Sequence, residues 1–273
     1  MSISNRRIAV ITGASGGIGR ATAIKLCDEG YDIIAHYHSD LLRSQELQEQ
    51  IEQKGRLCWL VTADLATEEG INSLLCGVAD VLDVLPNSSL TALVNNAALL
   101  LGPSFEEATV SEFDRYFAVN SRAPLFISQG IAKLMAPGGS IVNISSAAAH
   151  FSSPGDIVYA MTKATIESFT KNAAQALAGK GIRINAVMPG FTDNGHQAFK
   201  SPTIRTHMSN YSVLGGVSSP ETVAEAISFL LSDQADRTTG AVLDVSGGSA
   251  LGARQREKNS FSLRDLRDEP DQG

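Results

Sequence analysis

The chain has 273 residues, of which 43% are hydrophobic and 19% charged, a composition typical of a soluble globular protein. Its formal net charge of −7 is opposite to the charge that binds a phosphate backbone, which argues against a nucleic-acid partner. Apolar runs are too short for a membrane span or a signal peptide, so we expect a cytoplasmic protein with no membrane partner.

Strand-like and helix-like segments alternate from the start of the chain. The strands are apolar with little polar alternation, and the helices between them are amphipathic, which indicates a parallel sheet covered on both faces. Glycines are expected to end the first two helices, at Gly30 and Gly55. The predicted strands are 7–12, 31–37, 57–62, 90–95, 140–145, 182–188 and 241–245; the predicted helices are 18–29, 41–54, 68–84, helical segments up to 135, 157–178 and 221–231.

This pattern predicts one α/β domain over residues 1–250, a Rossmann-like, doubly wound parallel sheet of about seven strands. No linker or composition break divides that range. Residues 251–273 are rich in charge and poor in aliphatic side chains, which predicts a flexible C-terminal tail. Residues 193–212 show no strong periodicity, so no regular element is predicted there.

A glycine-rich turn follows the first predicted strand, with the sequence Thr-Gly-Ala-Ser-Gly-Gly-Ile-Gly over 12–19. Glycines between a strand and a helix let the backbone approach a pyrophosphate at the positive helix N-terminus. The spacing is Gly-x-x-x-Gly-x-Gly, which differs from the commoner dinucleotide fingerprint. Taken alone, the cluster also fits an ordinary tight turn.

Small polar residues follow four consecutive predicted strands. In a doubly wound sheet, ligands gather at the carboxyl ends of the strands, where the strand order reverses. Each residue alone is an ordinary turn residue, but four such ends describe a cleft. The residues are Asp64, Asn95 with Asn96, Ser145 with Ser146, and Pro189 with Gly190.

Tyr159 and Lys163 lie four residues apart at the start of a predicted helix, which places both on one face. A free phenol has a pKa of about 10, and a nearby ammonium favours the phenolate. The pair therefore suits general acid–base chemistry. The same spacing also occurs where a half-buried tyrosine lies beside a solvated lysine.

Together these residues resemble the short-chain dehydrogenase/reductase family, and the match runs in order from about Arg7 to Gly248. Asn95-Asn96-Ala97-Ala98 corresponds to the family's Asn-Asn-Ala-Gly, with Ala98 in place of the last glycine. The resemblance implies a nicotinamide-dependent oxidoreductase that resembles the 3-oxoacyl-acyl-carrier-protein reductases. It assigns catalysis to Asn120, Ser146, Tyr159 and Lys163, with Ser146 chosen over Ser145 because the family places its serine twelve to fourteen residues before the tyrosine.

The resemblance also implies a role for each of these residues. Tyr159 exchanges a proton with the substrate oxygen, which Ser146 holds. Lys163 lowers the pKa of the tyrosine and contacts the nicotinamide ribose, and Asn120 supports a water-linked proton path. The dinucleotide is assigned to Gly13, Ser15, Gly17, Ile18, Gly19, Tyr37, His38, Ser39, Asp64, Leu65, Asn96, Ala97, Tyr159, Lys163, Pro189, Gly190 and Thr192, with Asn194 as the alternative to Thr192.

NADP(H) is favoured over NAD(H), because Tyr37 carries no charge where an acidic side chain would repel a 2′-phosphate. His38, Ser39 and Ser15 are expected to donate hydrogen bonds to that phosphate. No arginine occupies either of the family's usual places, so the predicted preference is moderate. The family resemblance further predicts a homotetramer, with a dimer as the alternative, that pairs through the helices carrying Asn120 and Tyr159.

Two other functions fit parts of the sequence. The Tyr37-His38-Ser39 segment resembles the pteridine reductases, although those enzymes tend to carry an aspartate at the position of Ser146. A nucleotide-binding regulatory protein on the same fold is the non-enzymatic alternative. His36 and His38 are expected to face the same side of a strand, and no metal site is predicted because no carboxylate or cysteine completes the pair.

Overall fold

A computed structural model describes residues 6–85, 87–100, 102–195 and 197–251. Its strands are β1 (Arg6–Ile11), β2 (Tyr31–Tyr37), β3 (Cys58–Thr62), β4 (Ser88–Asn95), β5 (Ser140–Ile144), β6 (Arg183–Pro189) and β7 (Val242–Val245). Its α-helices are α1 (Gly17–Asp28), α2 (Leu41–Gln53), α3 (Glu68–Asp83), α4 (Val110–Phe117), α5 (Ala123–Leu134), α6 (Ile157–Leu177), α7 (Pro202–Ser209) and α8 (Pro220–Leu231).

The strands form one seven-stranded parallel sheet in the order β3-β2-β1-β4-β5-β6-β7. The chain builds outward from β1 to β3, returns to β4 beside β1, and then builds outward in the other direction. The strand order therefore reverses between β1 and β4, and a crevice opens at their carboxyl ends. The predicted fold class is confirmed.

Side-chain alternation along β1 explains why the sheet is covered on both faces. Ala9 and Ile11 join the core formed with α1, α2 and α8, whereas Ile8 and Val10 join the core formed with α3, α5 and α6. All four side chains are fully buried. A strand that is buried on both faces has an almost continuous apolar sequence, which is the pattern from which the parallel sheet was predicted.

Helix ends follow the local sequence signals. Gly30 and Gly55 adopt left-handed φ values of +91° and +77° just beyond α1 and α2, as glycine does at helix C-termini. The predicted strand and helix ends differ from the observed ones by one or two residues. The exception is α7, which was not predicted: the Ser201 hydroxyl caps it by accepting from the amide of Ile204, and Pro202 is its first residue.

Some sequence predictions fall at the edge of the described structure. Of the predicted tail, only Leu251 lies among the described residues, at the end of a 3₁₀ turn.

Within the described part of the chain, none of the helices combines the length and apolarity needed to cross a membrane. Cys27 and Cys58 are buried, whereas Cys76 is exposed on α3.

Candidate active site

Tyr159 and Lys163 lie in the first two turns of α6 and leave the same face of the helix. The Lys163 side chain is buried, and its Nζ donates a 2.8 Å hydrogen bond to the carbonyl oxygen of Ile144, the last residue of β5. The same nitrogen lies 5.6 Å from the centre of the Tyr159 ring. The end of β5 therefore holds the ammonium beside the phenol.

Burial changes the protonation of both groups. Removal from water disfavours the ammonium and lowers the pKa of Lys163 to about 8. Burial also disfavours a phenolate and raises the pKa of Tyr159, while a hydrogen bond with Ser146 acts in the opposite direction. At neutral pH Tyr159 is therefore a phenol, the form that donates a proton. In this structure the contact that lowers its pKa comes from Ser146, whereas the resemblance assigns that effect to Lys163, whose ammonium donates to Ile144.

The two serines after β5 have different partners. Ser146 acts on Tyr159 by lowering the pKa of the phenol, and its Oγ accepts a 3.2 Å hydrogen bond from the amide of Ala148. Ser145 is buried, and its Oγ donates a 2.6 Å hydrogen bond to Oε1 of Glu167. Ser145 is thus engaged by Glu167, and the choice of Ser146 as the partner of the tyrosine stays a prediction.

Glu167 braces the loop that carries Ser146. Its carboxylate lies one turn beyond Lys163 on α6 and contacts Nε2 of His150 at 2.9 Å as well as the Ser145 hydroxyl. These two contacts fasten both ends of segment 145–150 to the helix that carries Tyr159. Sequence analysis missed this brace, because its members are separated by seventeen or more positions and no local spacing links them.

Asn120 lies in a π-helical turn, Ala118–Arg122, between α4 and α5. Its Oδ1 accepts a 2.8 Å hydrogen bond from the amide of Leu99, and its Nδ2 donates to the Leu99 carbonyl and to Oγ1 of Thr162. Turns of this kind are rare and are often found at functional sites. Asn120 therefore joins the loop after β4 to the residue that precedes Lys163, and all four predicted catalytic residues are grouped around the start of α6.

The glycine-rich turn allows α1 to pack tightly against the end of β1. Gly13 and Gly17 have left-handed φ values of +65° and +53°, which favour glycine. A methyl group on Gly19 would lie 2.3 Å from the carbonyl oxygen of Gly13, so a side chain is excluded there. Asn96 fixes the turn from the neighbouring strand, since its Nδ2 donates to the carbonyl oxygens of Thr12 and Gly13.

The start of α1 suits a pyrophosphate. Gly16 precedes the helix and provides no side-chain cap for its first amides. Uncapped amides at the positive end of a helix dipole are suitable donors for phosphate oxygens. The residues present, glycines without side chains and amides without a side-chain cap, therefore fit a dinucleotide cofactor.

Comparisons with known proteins agree with this geometry. A family model described as Enoyl-(Acyl carrier protein) reductase matches residues 13–250. The chain is similar to the uncharacterized oxidoreductase YgfF of Escherichia coli K12, with 34% identity over 88% of this chain and 99% of that protein. It is also similar to the 3-oxoacyl-[acyl-carrier-protein] reductase FabG of Staphylococcus aureus N315, with 30% identity over 88% and 96%. The chain belongs to the short-chain dehydrogenase/reductase family.

A solved structure extends the similarity to a protein with a bound cofactor. The angucycline C-6 ketoreductase LanV with bound NADP matches at a TM-score of 0.87 and 37% identity, over 91% of this chain and 98% of that one. This chain is therefore an NAD(P)-dependent oxidoreductase of the short-chain dehydrogenase/reductase family.

In this short-chain dehydrogenase/reductase, an arginine that sequence analysis missed lies beside the glycine-rich turn, a few residues after β2. Tyr37 is half-buried, and His38 and Ser39 are exposed. A methyl group built on Gly16 would lie 3.6 Å from a guanidinium nitrogen of Arg43, in the first turn of α2. Although neither of the family's usual positions holds an arginine, this guanidinium reaches the glycine-rich turn from a position further along the chain.

The predicted cofactor residues that follow β3 and β6 differ in burial and in hydrogen-bond partners. Leu65 is buried after β3, and the Asp64 carboxylate accepts a 2.9 Å hydrogen bond from the amide of Ala66. After β6, Oγ1 of Thr192 donates to the carbonyl oxygen of Gly190 at 3.1 Å. The Asn194 side chain lies beside the glycine-rich turn, because a methyl group on Gly17 would approach its Cβ to 3.2 Å.

The remaining predicted residues lie along the same crevice. Asn96 and Ala97 have backbone amides that donate to Oγ1 of Thr12 at 3.0 Å each. Ser15 and Ile18 are half-buried in the glycine-rich turn. Pro189 ends β6 and Gly190 packs closely against Ser246. Among the described residues, no three His, Cys, Asp or Glu side chains are placed to hold a metal ion.

His36, on β2, is hydrogen-bonded to the glycine-rich turn through its imidazole ring. It is 2% exposed, whereas His38 lies beyond the end of β2 and is exposed. The Nδ1 of His36 accepts a 3.2 Å hydrogen bond from the amide of Gly13, which leaves Nε2 to donate to the carbonyl oxygen of Ala63 at 3.1 Å. One neutral imidazole therefore joins the glycine-rich turn to the loop after β3.

Burial lowers the pKa of His36 from 6.5 to about 4. The unfolded chain binds a proton at this histidine below about pH 6.5, while the folded protein resists protonation until about pH 4. The stabilisation from neutral His36 is therefore fully present above pH 6.5 and is lost as the pH falls toward 4. Its maximum is about 3 kcal/mol.

We predict that His36→Gln removes this pH-dependent part of the free energy of unfolding. Urea denaturation between about pH 7.5 and 4.5 should show that wild type loses stability more steeply than the variant as the pH falls, by up to about 3 kcal/mol. Arg237→Gln, at an exposed position after α8, is the control, and its curve should run parallel to that of wild type. A parallel curve for His36→Gln as well would contradict the assignment.

Proposed function

We propose that this protein is an NADPH-dependent reductase that converts a ketone into a secondary alcohol. The observation that carries the proposal is the position of the Lys163 ammonium, which the Ile144 carbonyl holds 5.6 Å from the centre of the Tyr159 ring. A neutral phenol donates a proton to a carbonyl oxygen, which is the acid step of ketone reduction. The relatives that support the proposal are the reductase FabG and the NADP-bound ketoreductase LanV.

Each of the four predicted catalytic residues has a role in proton transfer or in positioning the reacting groups. Bound NADPH supplies the hydride to the carbonyl carbon. Ser146 holds the substrate oxygen by a hydrogen bond and Tyr159 delivers the proton to it. Lys163 would hold the nicotinamide ribose when the cofactor is bound, and its ammonium lies beside the ring that loses the proton. Asn120 holds the loop after β4 against α6 and supports the path by which the tyrosine recovers its proton.

Three other activities are compatible with some of the observations. The description of the matching family model names an enoyl reductase, which acts on a carbon–carbon double bond. The pteridine-reductase and regulatory alternatives rest on Tyr37-His38-Ser39 and on the fold alone. The Tyr159 and Ser146 hydroxyls favour the ketone, because a ketone oxygen accepts both a hydrogen bond and a proton from such groups. A 3-oxoacyl ketone is the class that the resemblance suggests.

The cofactor preference rests on the charge around the end of β2. Tyr37 offers no carboxylate to repel a 2′-phosphate, and His38 and Ser39 are exposed donors beside it. Arg43 adds a guanidinium at the glycine-rich turn, where Ser15 also lies. A guanidinium forms bidentate hydrogen bonds with phosphate, so we propose a clear preference for NADP(H) over NAD(H).

We predict that the protein consumes NADPH with a 3-oxoacyl thioester or a cyclic ketone, and that kcat/KM is higher with NADPH than with NADH. Arg43→Gln should lower the ratio of the two efficiencies roughly tenfold, as expected for the loss of one hydrogen bond to a charged group. Arg237→Gln, an exposed arginine outside the crevice, is the control. Turnover with an enoyl thioester or a pterin but with no ketone would contradict the reaction, and faster turnover with NADH would contradict the cofactor.

We also propose that the protein is a homotetramer that pairs through α4, α5 and α6. Apolar side chains on these helices are partly exposed in the single chain, at Phe113, Leu125, Phe126 and Met161. Multi-angle light scattering at micromolar concentration should give four times the 28.8 kDa chain mass. After truncation behind Ala250, the particle should still have four times the mass of one truncated chain. A monomer would contradict the proposal.

A further inference from the structure

Four rings pack together beside the catalytic edge of the sheet. The Tyr211 ring centre lies 5.2 Å from that of Phe151, 5.3 Å from that of Phe191 and 5.5 Å from that of His207. The ring planes of Phe191 and His207 meet that of Tyr211 edge-to-face, at 66° and 73°, which is a geometry in which aromatic rings attract one another. The Phe151 ring is tilted by 42° from that of Tyr211. These four residues are called the aromatic wall below.

The aromatic wall is built from three separate segments that meet at the site. Phe151 follows Ser146 by five residues, and Phe191 directly follows Gly190 at the end of β6. Since β5 and β6 are parallel neighbours, both loops leave the same edge of the sheet. His207 lies on α7 and Tyr211 just beyond it. The wall therefore borders the edge of the sheet from which Ser146 emerges.

Each segment of the wall is anchored. His150, next to Phe151, contacts the Glu167 carboxylate on α6. The Phe191 carbonyl accepts a 2.9 Å hydrogen bond from the amide of Ser218. Next to Tyr211, Oγ of Ser212 donates to the carbonyl oxygen of Gly247 at 3.0 Å. Because the segments that carry these rings are hydrogen-bonded to the rest of the fold, less conformational entropy is lost when a ligand binds to the rings.

The rings are only partly covered by one another. Phe151, Phe191 and Tyr211 are half-buried and His207 is exposed, so ring surface remains available. On α7, the charge of Arg205 is neutralised by Asp193, whose carboxylate lies 2.7 Å from its guanidinium. A partly covered aromatic surface matches a flat ring ligand better than a flexible chain with a charged carrier group.

We propose that the aromatic wall selects ketones whose carbonyl is attached to a flat aromatic ring system, in preference to saturated ketones of the same size. The proposal rests on the proposed reductase function and names its substrate class. Aromatic contacts contribute beyond the burial of their area, so each ring should favour the aromatic ketone about two- to tenfold.

The test uses two ketones that differ only in saturation. 1-Tetralone and trans-1-decalone share a bicyclic ten-carbon skeleton with the ketone at the same position, and one ring is aromatic only in the first. The measured quantity is the ratio of kcat/KM for tetralone to kcat/KM for decalone, with NADPH. Because the two ketones differ in intrinsic reactivity, the informative result is the change in this ratio between variants.

Phe151→Leu, Phe191→Leu and Tyr211→Leu each remove one ring from the wall. Each should lower the ratio about two- to tenfold while changing the decalone efficiency less than the tetralone efficiency. Tyr211→Phe keeps the ring and should keep the ratio. Phe229→Leu on α8, outside the wall, is the matched control, and thermal unfolding should show that every variant is folded.

Binding measurements separate this proposal from the reaction itself. Calorimetry with the NADPH complex of Tyr159→Phe gives dissociation constants for both ketones without turnover, and tetralone should bind more tightly than decalone. The same Leu substitutions should remove that difference. Equal losses for both ketones, or an unchanged ratio in the Leu variants, would overturn the proposal. Selective tetralone binding without reduction by wild type would refute the reductase function and leave the aromatic site supported.

Discussion

Lys163 places its ammonium against the carbonyl oxygen of Ile144, and this contact joins the start of α6 to the end of β5. A buried ammonium without a hydrogen-bond acceptor is costly, so the last carbonyl of the strand fixes where α6 can lie. Tyr159 lies one turn earlier on the same helix face, and Ser146 follows the strand by two residues. The proton donor and its serine partner are thus positioned by one contact between a helix and the sheet.

The cofactor side of the crevice depends on a comparable constraint. α1 can approach β1 only because Gly19 has no side chain to meet the Gly13 carbonyl. Asn96 holds the turn from β4 and His36 holds it from β2, so the glycine backbone is bonded from the strand on each side. Flexible glycines are thereby kept in one conformation, which lowers the entropy lost when a ligand binds.

Sequence patterns predicted the parts of the molecule that depend on local chemistry. The apolar strands, the glycine helix ends, the glycine-rich turn and the pairing of Tyr159 with Lys163 all follow from neighbours within a few residues. The choice of Ser146 over Ser145 came from family spacing and stays a prediction, while the structure shows Ser145 bonded to Glu167. The helix α7 had a local signal, Ser201 followed by Pro202, but its weak periodicity concealed it.

The remaining features depend on contacts between distant positions. The Glu167 brace, the His36 bridge, the approach of Arg43 to Gly16 and the aromatic wall all join segments that pattern analysis treats separately. A charge or a ring at such a position has no local periodicity to mark its role.

The central claim is that the Tyr159 hydroxyl delivers the proton to the substrate oxygen. Tyr159→Phe removes that hydroxyl while the glycine-rich turn and its supports remain, with Tyr31→Phe at the other end of the sheet as the control. Steady-state turnover should fall by at least about a hundredfold, the usual general acid contribution, while the dissociation constant for NADPH stays within about twofold of wild type. A variant that kept more than about a tenth of the wild-type rate would contradict the account.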